Sequence, residues 1–160
     1  MYRLLKLTSI TLGQKSAAEV QPRELIVREG EPFQFLCLAG EAIDSCRIEL
    51  PDGKGVSLRP GIEARNLGIQ YFGDGFQAGH CGLKAQSTDV NNNGVYKCSM
   101  TTPTSIFEIH GLMKLTVASH PMAPELRVFN LSDEYNEGDI LNAECIVRNS
   151  LPAANITWFI

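Results

Sequence analysis

Several hallmarks of common protein classes are missing from these 160 residues. No apolar run approaches the ~18 residues that mark a membrane-spanning helix, so no segment of this sequence is predicted to cross a bilayer. Acidic residues outnumber basic ones, 18 to 14, and give a formal net charge of −4. That balance argues against the broad basic surface of a nucleic-acid-binding protein. No long stretch repeats its apolar residues with a helical period, which leaves all-β as the predicted fold class.

The usual motifs of catalysis and metal binding are missing as well. The sequence has no G-x-S-x-G, and its three histidines share no convincing partner for nucleophilic catalysis. Gly73-x-Gly75-x-x-Ala78 fits a relaxed dinucleotide fingerprint, but no helical pattern follows it, and we expect a loop or hairpin there. We therefore predict that the protein is not an enzyme and that it holds no cofactor and no metal.

The sequence does contain short segments of alternating apolar and polar residues, divided by turn residues. Segments 33–37 and 46–50 alternate in this way, and Pro51-Asp52-Gly53 ends the second. A period of two is typical of strands with one buried face. Further strands are predicted at 56–58, 69–72, 81–85 and 95–100, and segments 106–109 and 112–117 supply the last strand, which is broken by Gly111.

One pattern occurs twice along the chain. REGEPFQFLCLA, from Arg28, and NEGDILNAECIV, from Asn136, align with a constant offset of 108 residues. Each contains Glu-Gly, a further acidic residue and then an apolar strand with a cysteine, which is Cys37 in the first copy and Cys145 in the second. A repeat of about 100 residues is the period of tandem β-sandwich domains. Residues 119–124, with two prolines, are the candidate linker.

The strongest motif is NNNGVYKC, which ends at Cys98. It resembles the D-x-G-x-Y-x-C pattern at the E–F corner of immunoglobulin domains, with Asn92 in place of aspartate, so the salt bridge of that position is not expected. Gly94 permits a turn that most residues cannot adopt. Tyr96 and Cys98 then face the core together, and the hydroxyl is expected to bond back to the corner backbone. Cys98 is expected to pair with Cys37, and the 60 residues between them favour a variable-set or intermediate-set domain.

The first copy of the repeat has no tryptophan, because the one Trp of the chain is Trp158. Cys46 stands near the place of the usual core tryptophan, and Cys81 falls on the inward face of a strand in the opposite sheet. We expect a second bridge, Cys46–Cys81, that crosses the core beside Cys37–Cys98. The open alternatives are two buried free thiols, or a zinc site, for which the chain has no C-x-x-C pair. Two bridges would imply an oxidising compartment.

These features divide the chain into three predicted parts. Residues 1–21 are a leader, which makes a poor secretory signal because Lys6 and polar residues interrupt its apolar stretch. Residues 22–119 form the first immunoglobulin-like domain. Residues 120–160 are the first strands of a second such domain, truncated within it. Cys145 is therefore expected to be unpaired. Trp158 has the spacing of a C strand, but it is expected to be exposed to water.

Two N-glycosylation sequons lie in the second part of the chain. They are Asn130-Leu131-Ser132 and Asn155-Ile156-Thr157. Such triplets are glycosylated in secreted proteins, where they lie on the surface. Modification of Asn130 and Asn155 is therefore predicted, together with an extracellular location.

Three segments together resemble one family. SCRIELPDG (45–53), IQYFGDGFQAGHCGL (69–83) and NNNGVYKCS (91–99) are similar to the fasciclin III family of insect adhesion glycoproteins, as is the start of the second copy. The extra cysteine pair without a tryptophan is the distinctive part of the resemblance. The resemblance implies an ectodomain of several immunoglobulin domains, anchored in the plasma membrane of neural or epithelial cells by a segment beyond these residues. It further implies homophilic binding, with a copy of the protein on an adjacent cell as the partner.

Adhesive immunoglobulin domains of this kind commonly bind through the sheet face formed by strands C, C′, F and G. The outward positions predicted there are Arg47, Glu49, Val95, Lys97 and Ser99. Opposite charges on one face suit a two-fold contact in which Arg47 of one copy meets Glu49 of the other. An ordinary solvated face is the open alternative for these residues. For the protein, the alternative function is a secreted or receptor immunoglobulin protein that recognises a different ligand.

Overall fold

The computed structural model describes residues 17–61, 63–64, 68–130, 132 and 134–159, with residues 63 and 64 described by their backbone alone. Most of the predicted leader lies outside the described residues. Within them, no helix is long and apolar enough to cross a membrane. The regular structure there is β-strand, apart from two single 3-10 turns at Phe76–Ala78 and Val90–Asn92.

Two five-stranded sheets face each other across one core. The β3 sheet has the order β1 (Glu19–Gln21), β3 (Phe33–Leu38), β8 (His80–Ala85), β7 (Ile69–Phe72) and β6 (Glu63–Ala64). The β9 sheet has the order β2 (Glu24–Arg28), β10 (Ser105–Ala118), β9 (Gly94–Thr102), β4 (Ser45–Glu49) and β5 (Gly55–Ser57). Neighbouring strands are antiparallel except β2 and β10. This immunoglobulin-like sandwich confirms the predicted all-β fold.

The core is built from alternate residues of the strands. In β3, β4 and β9, buried side chains alternate with exposed or half-buried ones, as the sequence pattern predicts. Both sheets contribute, and the core side chains that are at most 1% exposed include Phe35, Leu83, Ile48, Met100 and Leu115. Each such side chain stabilises the fold by roughly 1.5–3 kcal/mol relative to an exposed one. The two facing sheets therefore supply the main stabilisation of the sandwich.

The sandwich begins earlier than the predicted boundary at residue 22. β1 pairs with β3, and Val20 lies directly opposite Cys37. Ala18 and Val20 are buried. The chain then passes at Pro22, which has no N–H for a ladder, to β2 in the other sheet. The predicted boundary is wrong because a strand of three residues is too short to show a period of two in the sequence.

β10 continues through Gly111, where the sequence predicts a break in the last strand. Gly111 lies opposite Cys98 in β9. A Cβ atom at this position would come 2.8 Å from Cys98 Sγ and 2.5 Å from Cγ2 of Val20. The predicted break is wrong because this glycine permits a close approach of β1 and a cysteine to β10 and does not interrupt the strand.

The segment with the relaxed dinucleotide fingerprint is the connection between β7 and β8. It contains the single 3-10 turn Phe76–Ala78, which ends at Gly79 in a left-handed conformation. Three residues of 3-10 turn do not form the helix whose N-terminus binds a phosphate group. The segment is thus a loop, as the sequence analysis expects.

Residues 119–159 contain a further sheet of two strands, β11 (Glu125–Val128) and β12 (Ala143–Ile146). In its ladder Leu126 lies opposite Cys145. In the first sandwich, Val20 of β1 lies opposite Cys37 of β3 in the same way. The pairing of an early strand with the cysteine-bearing strand is therefore common to both copies of the sequence repeat.

The turn before the cysteine-bearing strand is also the same in both copies. Before β3, a carboxylate oxygen of Glu31 accepts a hydrogen bond from the backbone N–H of Arg28 at 2.9 Å. Before β12, Asp139 accepts from the N–H of Asn136 at 2.7 Å. The intervening glycines of the two turns both have positive φ angles, 85° and 97°. The sequence repeat is thus a repeat of local structure.

Candidate functional site

Two disulfides cross the core of the sandwich. Cys37 in β3 is bonded to Cys98 in β9, and Cys46 in β4 is bonded to Cys81 in β8. The structure thus joins the two cysteine pairs that the sequence predicts. Neither Cys46 nor Cys81 is a free thiol. All four are at most 3% exposed. Cys145, on β12, is a half-buried free cysteine.

The two disulfides lie side by side. Cys37 and Cys81 are directly opposite each other in the β3–β8 ladder, and their partners belong to the neighbouring strands β9 and β4. Two central strands of one sheet are thus tied to two central strands of the other. The Cys46–Cys81 bridge occupies the region where other immunoglobulin domains pack a tryptophan. The two bonds thus fix the β4–β9 pair covalently to the opposite sheet.

The E–F corner has the geometry that the NNNGVYKC motif predicts. Tyr96 is 2% exposed, and its hydroxyl donates to the carbonyl oxygen of Asn92 at 3.1 Å. Burial raises the pKa of the Tyr96 hydroxyl, and the negative charge of Asp89 raises it further. Gly94 has a φ of 137°, and a Cβ atom there would come 2.7 Å from Cβ of Pro51. The corner therefore requires glycine for its backbone angle and for its contact with Pro51.

Asn92 takes a structural role in place of the usual aspartate. Its side-chain oxygen accepts from the backbone N–H of Asp89 at 2.7 Å, and the Asp89 carboxylate accepts from the N–H of Asn91 at 2.7 Å. The next residue, Asn93, accepts from the N–H of Val117 at 2.6 Å and so connects the corner to the end of β10. Reciprocal capping bonds thus stabilise the corner where a salt bridge is usual.

The five residues of the predicted adhesive face lie together on the outer surface of the β9 sheet. Arg47 is opposite Ser99, and Glu49 is opposite Lys97, in the β4–β9 ladder. Val95, one step further along β9, is 51% exposed. Arg47 and Glu49 are exposed, whereas Lys97 and Ser99 are half-buried. Because side chains directly opposite one another are about 5 Å apart, these residues form one compact patch.

The same surface extends onto β10 and β2, on which no residue of the face was predicted. Leu112 of β10 is opposite Lys97, and Lys114 is opposite Val95. Ile26 of β2 extends the surface further and lies opposite Thr116 of β10. Leu112 is 59% exposed and Ile26 is 60% exposed. We call the surface made by the outward residues of these four strands the β9 face, which comprises Arg47, Glu49, Val95, Lys97, Ser99, Leu112, Lys114, Glu24 and Ile26.

The sequence does contain a signal for the outward residues of β10. Met113, Leu115 and Val117 are the buried, alternate residues of the strand. Their alternation alone places Leu112 and Lys114 on the outer side. What the sequence does not show is that these outward residues lie beside Lys97 and Val95, since that depends on the register of the β9–β10 pair.

Two histidines have partners that the sequence does not reveal. Nδ1 of His110 is 3.0 Å from Oγ of Ser99, and its Nε2 is 3.7 Å from the carboxylate of Glu108. Nδ1 of His80 accepts from the backbone N–H of Asp74 at 3.1 Å. These partners lie on a neighbouring strand or within a loop, so the periodicity of the sequence does not reveal them.

The group of Ser99, His110 and Glu108 contains the residue types of a catalytic triad but lies in an unsuitable place. An acyl-transfer site also needs backbone N–H donors aimed at an oxyanion. Ser99 and His110 sit opposite each other on adjacent strands in the middle of the β9 sheet, where strands on both sides of β9 take up the backbone groups in ladders. The three residues therefore form a polar cluster at the border of the β9 face, to which only Ser99 belongs.

The residues predicted for glycosylation, and Trp158, all lie in the region after residue 118. Asn130 is bound to the backbone: its Nδ2 donates to the carbonyl oxygen of Ile140 at 2.6 Å, and its Oδ1 accepts from the N–H of Asn142 at 2.9 Å. Asn155 is exposed. Trp158 is 53% exposed and lies outside the strands. The structure thus places Asn130, Asn155 and Trp158 at the surface.

Comparison with known proteins gives one informative similarity. No family model matches the chain. The chain is 36% identical over 145 residues to Fasciclin-3 of Drosophila melanogaster, which takes in 88% of this chain and 28% of the relative. The chain therefore spans less than a third of the length of the relative that it matches. Together with the immunoglobulin-like sandwich, this similarity shows a fasciclin III-like protein of the immunoglobulin superfamily.

Proposed function

We propose that this fasciclin III-like chain is part of a cell-surface protein that mediates cell adhesion by homophilic contact, in neural or epithelial tissue. The similarity to Fasciclin-3 supports an adhesive role. The two core disulfides support an extracellular location, because disulfides form and persist in oxidising compartments. The partner is a protein surface, that of a second copy on an adjacent cell. The proposal involves no enzymatic step, cofactor, metal or nucleic acid.

The observation that supports this function most directly is the difference between the outer surfaces of the two sheets. On the β9 face, Val95, Leu112 and Ile26 are each more than half exposed. On the β3 sheet, no large apolar side chain of the described strand residues is exposed to that degree. A larger exposed apolar patch that is rimmed by polar residues marks a surface that contacts other proteins. We therefore assign the adhesive contact to the β9 face.

The charges of the β9 face suit a contact between identical surfaces. Arg47 and Glu49 are exposed and two residues apart on β4, with Ile48 buried between them. A two-fold axis can place Arg47 of one copy on Glu49 of the other, twice in each contact. Such polar contacts set specificity and encounter rate more than affinity. Many weak contacts between two cells then produce firm adhesion through avidity.

Aggregation of beads coated with the 160-residue chain tests this function. The unaltered chain should aggregate the beads. Arg47→Glu should slow the aggregation, because the new carboxylate faces Glu49 of the partner, and Arg47→Glu with Glu49→Arg should restore part of it. Glu19→Lys, a charge reversal on the opposite sheet, is the matched control and should leave the rate unchanged. Equal rates for Arg47→Glu and the unaltered chain would exclude this residue pair.

Failure of the unaltered chain to aggregate beads would exclude homophilic binding by this part of the protein. Binding of the same beads to cells that do not carry the protein would then favour a receptor or secreted protein with a different ligand. Thermal unfolding of each variant shows whether the fold is intact. Both substituted residues of β4 are exposed, so their replacement should change stability by less than about 0.5 kcal/mol.

We further propose that Asn130 and Asn155 carry N-linked glycans and that residues 120–160 are the first strands of a second immunoglobulin domain. The surface position of both asparagines supports the first proposal. The repeated turn and strand pairing support the second. Endoglycosidase treatment of the secreted chain should lower its mass by two glycans, and Asn155→Gln should remove one of them. An unchanged mass after treatment would contradict the proposed glycosylation.

A further inference from the structure

The hairpin between β9 and β10 presents two apolar side chains to solvent. Ile106 is 94% exposed and Phe107 is 61% exposed. The register explains the exposure: Ser105 pairs with Thr102, but the next pair is Ile109 with Met100. Three residues of β10 thus stand opposite one residue of β9, and the surplus forms a bulge that turns the side chains outward.

Hydrogen bonds hold this hairpin tip in place. The backbone N–H of Phe107 donates to Oγ of Ser105 at 3.0 Å. The hydroxyl of Thr104 donates to the carboxylate of Glu41 at 2.8 Å. Ile106 and Phe107 are therefore displayed on an ordered support that carries two carboxylates, those of Glu41 and Glu108. We call residues 105–108 the tip.

A groove of matching chemistry lies between the two sheets at the edge formed by β2 and β3. β1 covers β3 only from Leu36 to Leu38, and the residues of β3 before Leu36 remain uncovered on that edge. The groove has a volume of about 390 Å³. Its lining is mainly apolar, with Lys84 as its one charged residue, and includes Pro22, Leu25, Val27, Pro32, Phe33 and Lys84. Cavities of ~300–1,000 Å³ hold small ligands, so an apolar side chain has room to enter.

We propose that the tip of one copy inserts into this groove of a second copy, and that the contact is reciprocal. The inference rests on the proposed homophilic function and specifies a second contact for it, apart from the β9 face. Both halves of the contact lie on this chain: an exposed Ile106–Phe107 pair and an apolar groove. The charges are complementary as well, because Glu108 follows the apolar pair of the tip and Lys84 lines the groove.

The topology makes a reciprocal contact possible. β10, which carries the tip, is the strand next to β2, which lines the groove, so both lie on the same flank of the sandwich. Leu25 and Val27 pair with Leu115 and Val117 of β10. The groove is therefore eight to ten residues from Phe107 along β10, or about 30 Å at ~3.3 Å per residue. Two copies aligned antiparallel around a two-fold axis would each place a tip beside the groove of the other. Molecules on facing cells meet in that antiparallel orientation.

A pair of charge reversals tests the reciprocal contact in the bead assay. Beads carrying Glu108→Lys should aggregate about tenfold more slowly than unaltered beads, because the introduced ammonium group then meets Lys84, and Lys84→Glu beads should be slowed equally. A mixture of the two bead types should regain most of the rate, since each tip then meets an opposite charge in each groove. Ile106→Ser with Phe107→Ser should be slowed at least as much, and no mixture should rescue it.

The outcomes separate this inference from the proposed function. Aggregation of unaltered beads, with normal rates for Glu108→Lys and Lys84→Glu, would overturn the tip–groove contact and leave homophilic adhesion standing. Slowed single variants without rescue in the mixture would also overturn it, because they would indicate effects on other contacts, such as that of Glu108 with His110. Thermal unfolding of each variant should match the unaltered chain, since Glu108 and the tip are exposed. Absence of aggregation by the unaltered beads would instead reject the proposed function.

Discussion

Residues 17–118 and residues 119–159 use the same local structures with different results. Both regions pair an early strand with a cysteine-bearing strand, and both precede the latter with the same turn. Yet the buried core belongs wholly to the first region, and none of the described side chains after residue 118 is buried. Leu126, Ile140 and Leu141 are all more than half exposed. Strand pairing alone does not form a core, because a second sheet must cover the apolar face.

The disulfides should give the largest difference between the two regions. Replacing Cys37 and Cys98 by alanine should lower the free energy of unfolding by about 4 kcal/mol, and replacing Cys46 and Cys81 by slightly less, because that bridge closes a shorter loop. The sequence separations are 61 and 35 residues. Cys145→Ser, introduced in every variant to prevent exchange, should by itself change stability by less than about 0.5 kcal/mol. Urea unfolding followed by far-ultraviolet circular dichroism measures the free energy of unfolding for all three substitutions. A large loss of stability caused by Cys145→Ser would contradict the expected difference between the two regions.

Two leucines of equal size should show the difference in burial. Leu83→Ala removes a side chain that is 0% exposed and should cost about 2–5 kcal/mol, through lost burial and the cavity left behind. Leu141→Ala acts on a side chain that is 57% exposed and should cost less than about 0.5 kcal/mol. Thermal or urea unfolding of both variants provides the measurement. Similar losses for the two would mean that residues 119–159 bury Leu141 in solution.

Two tyrosines that make the same kind of hydrogen bond offer a finer comparison. The Tyr96 hydroxyl donates to the carbonyl of Asn92, and the Tyr135 hydroxyl donates to that of Asn130 at 3.0 Å. Tyr96→Phe should destabilise the sandwich by about 1 kcal/mol, because a partly buried hydrogen bond is lost. Tyr135 is 47% exposed, so water can replace its bond and Tyr135→Phe should have a much smaller effect. A larger loss for Tyr135→Phe would contradict the contrast.

Alkaline pH should produce the smallest effect, confined to the first region. The pKa of Tyr96 in the folded chain lies above its value in the unfolded chain, about 10. The stability from its neutral hydroxyl is therefore complete below about pH 10 and is lost as the pH rises toward the folded pKa. At about pH 10.5 the loss should be about 0.8 kcal/mol. The stability gap between the unaltered chain and Tyr96→Phe should narrow accordingly between about pH 8 and that pH, and a constant gap would contradict the assignment.

Much of the sandwich could be predicted from the sequence, and the errors have physical causes. The alternation in β3, β4 and β9 and the corner motif depend on neighbouring residues, so they can be read from the chain. β1 was missed because three residues carry too little pattern. The break predicted at Gly111 was wrong because the role of this glycine depends on Val20, which is far away in the sequence. Contacts between segments distant in sequence do not leave a local signal.

The residues of the candidate site also fall into two groups: those whose positions the sequence predicts and those whose positions depend on the tertiary structure. The outward positions of Arg47, Glu49 and Lys97 follow from the period of two in each strand. The addition of Leu112 and Ile26 to the same face depends on the order β2–β10–β9, and the exposure of Phe107 depends on a bulge in the pairing of β10 with β9. Neither strand order nor a surplus of residues on one strand can be derived from the periodicity of a single segment.

The sequence by itself determined which residues face inward, where the E–F corner turns and which cysteines can meet, because side-chain alternation, glycine geometry and cysteine spacing are local properties of the chain. Only the tertiary structure decided that Cys37 and Cys81 lie side by side, that exposed apolar residues gather on one sheet, and that the tip and the groove share a flank. Those features require the two sheets to be assembled, since strand order and register arise from the packing of segments that are far apart along the chain.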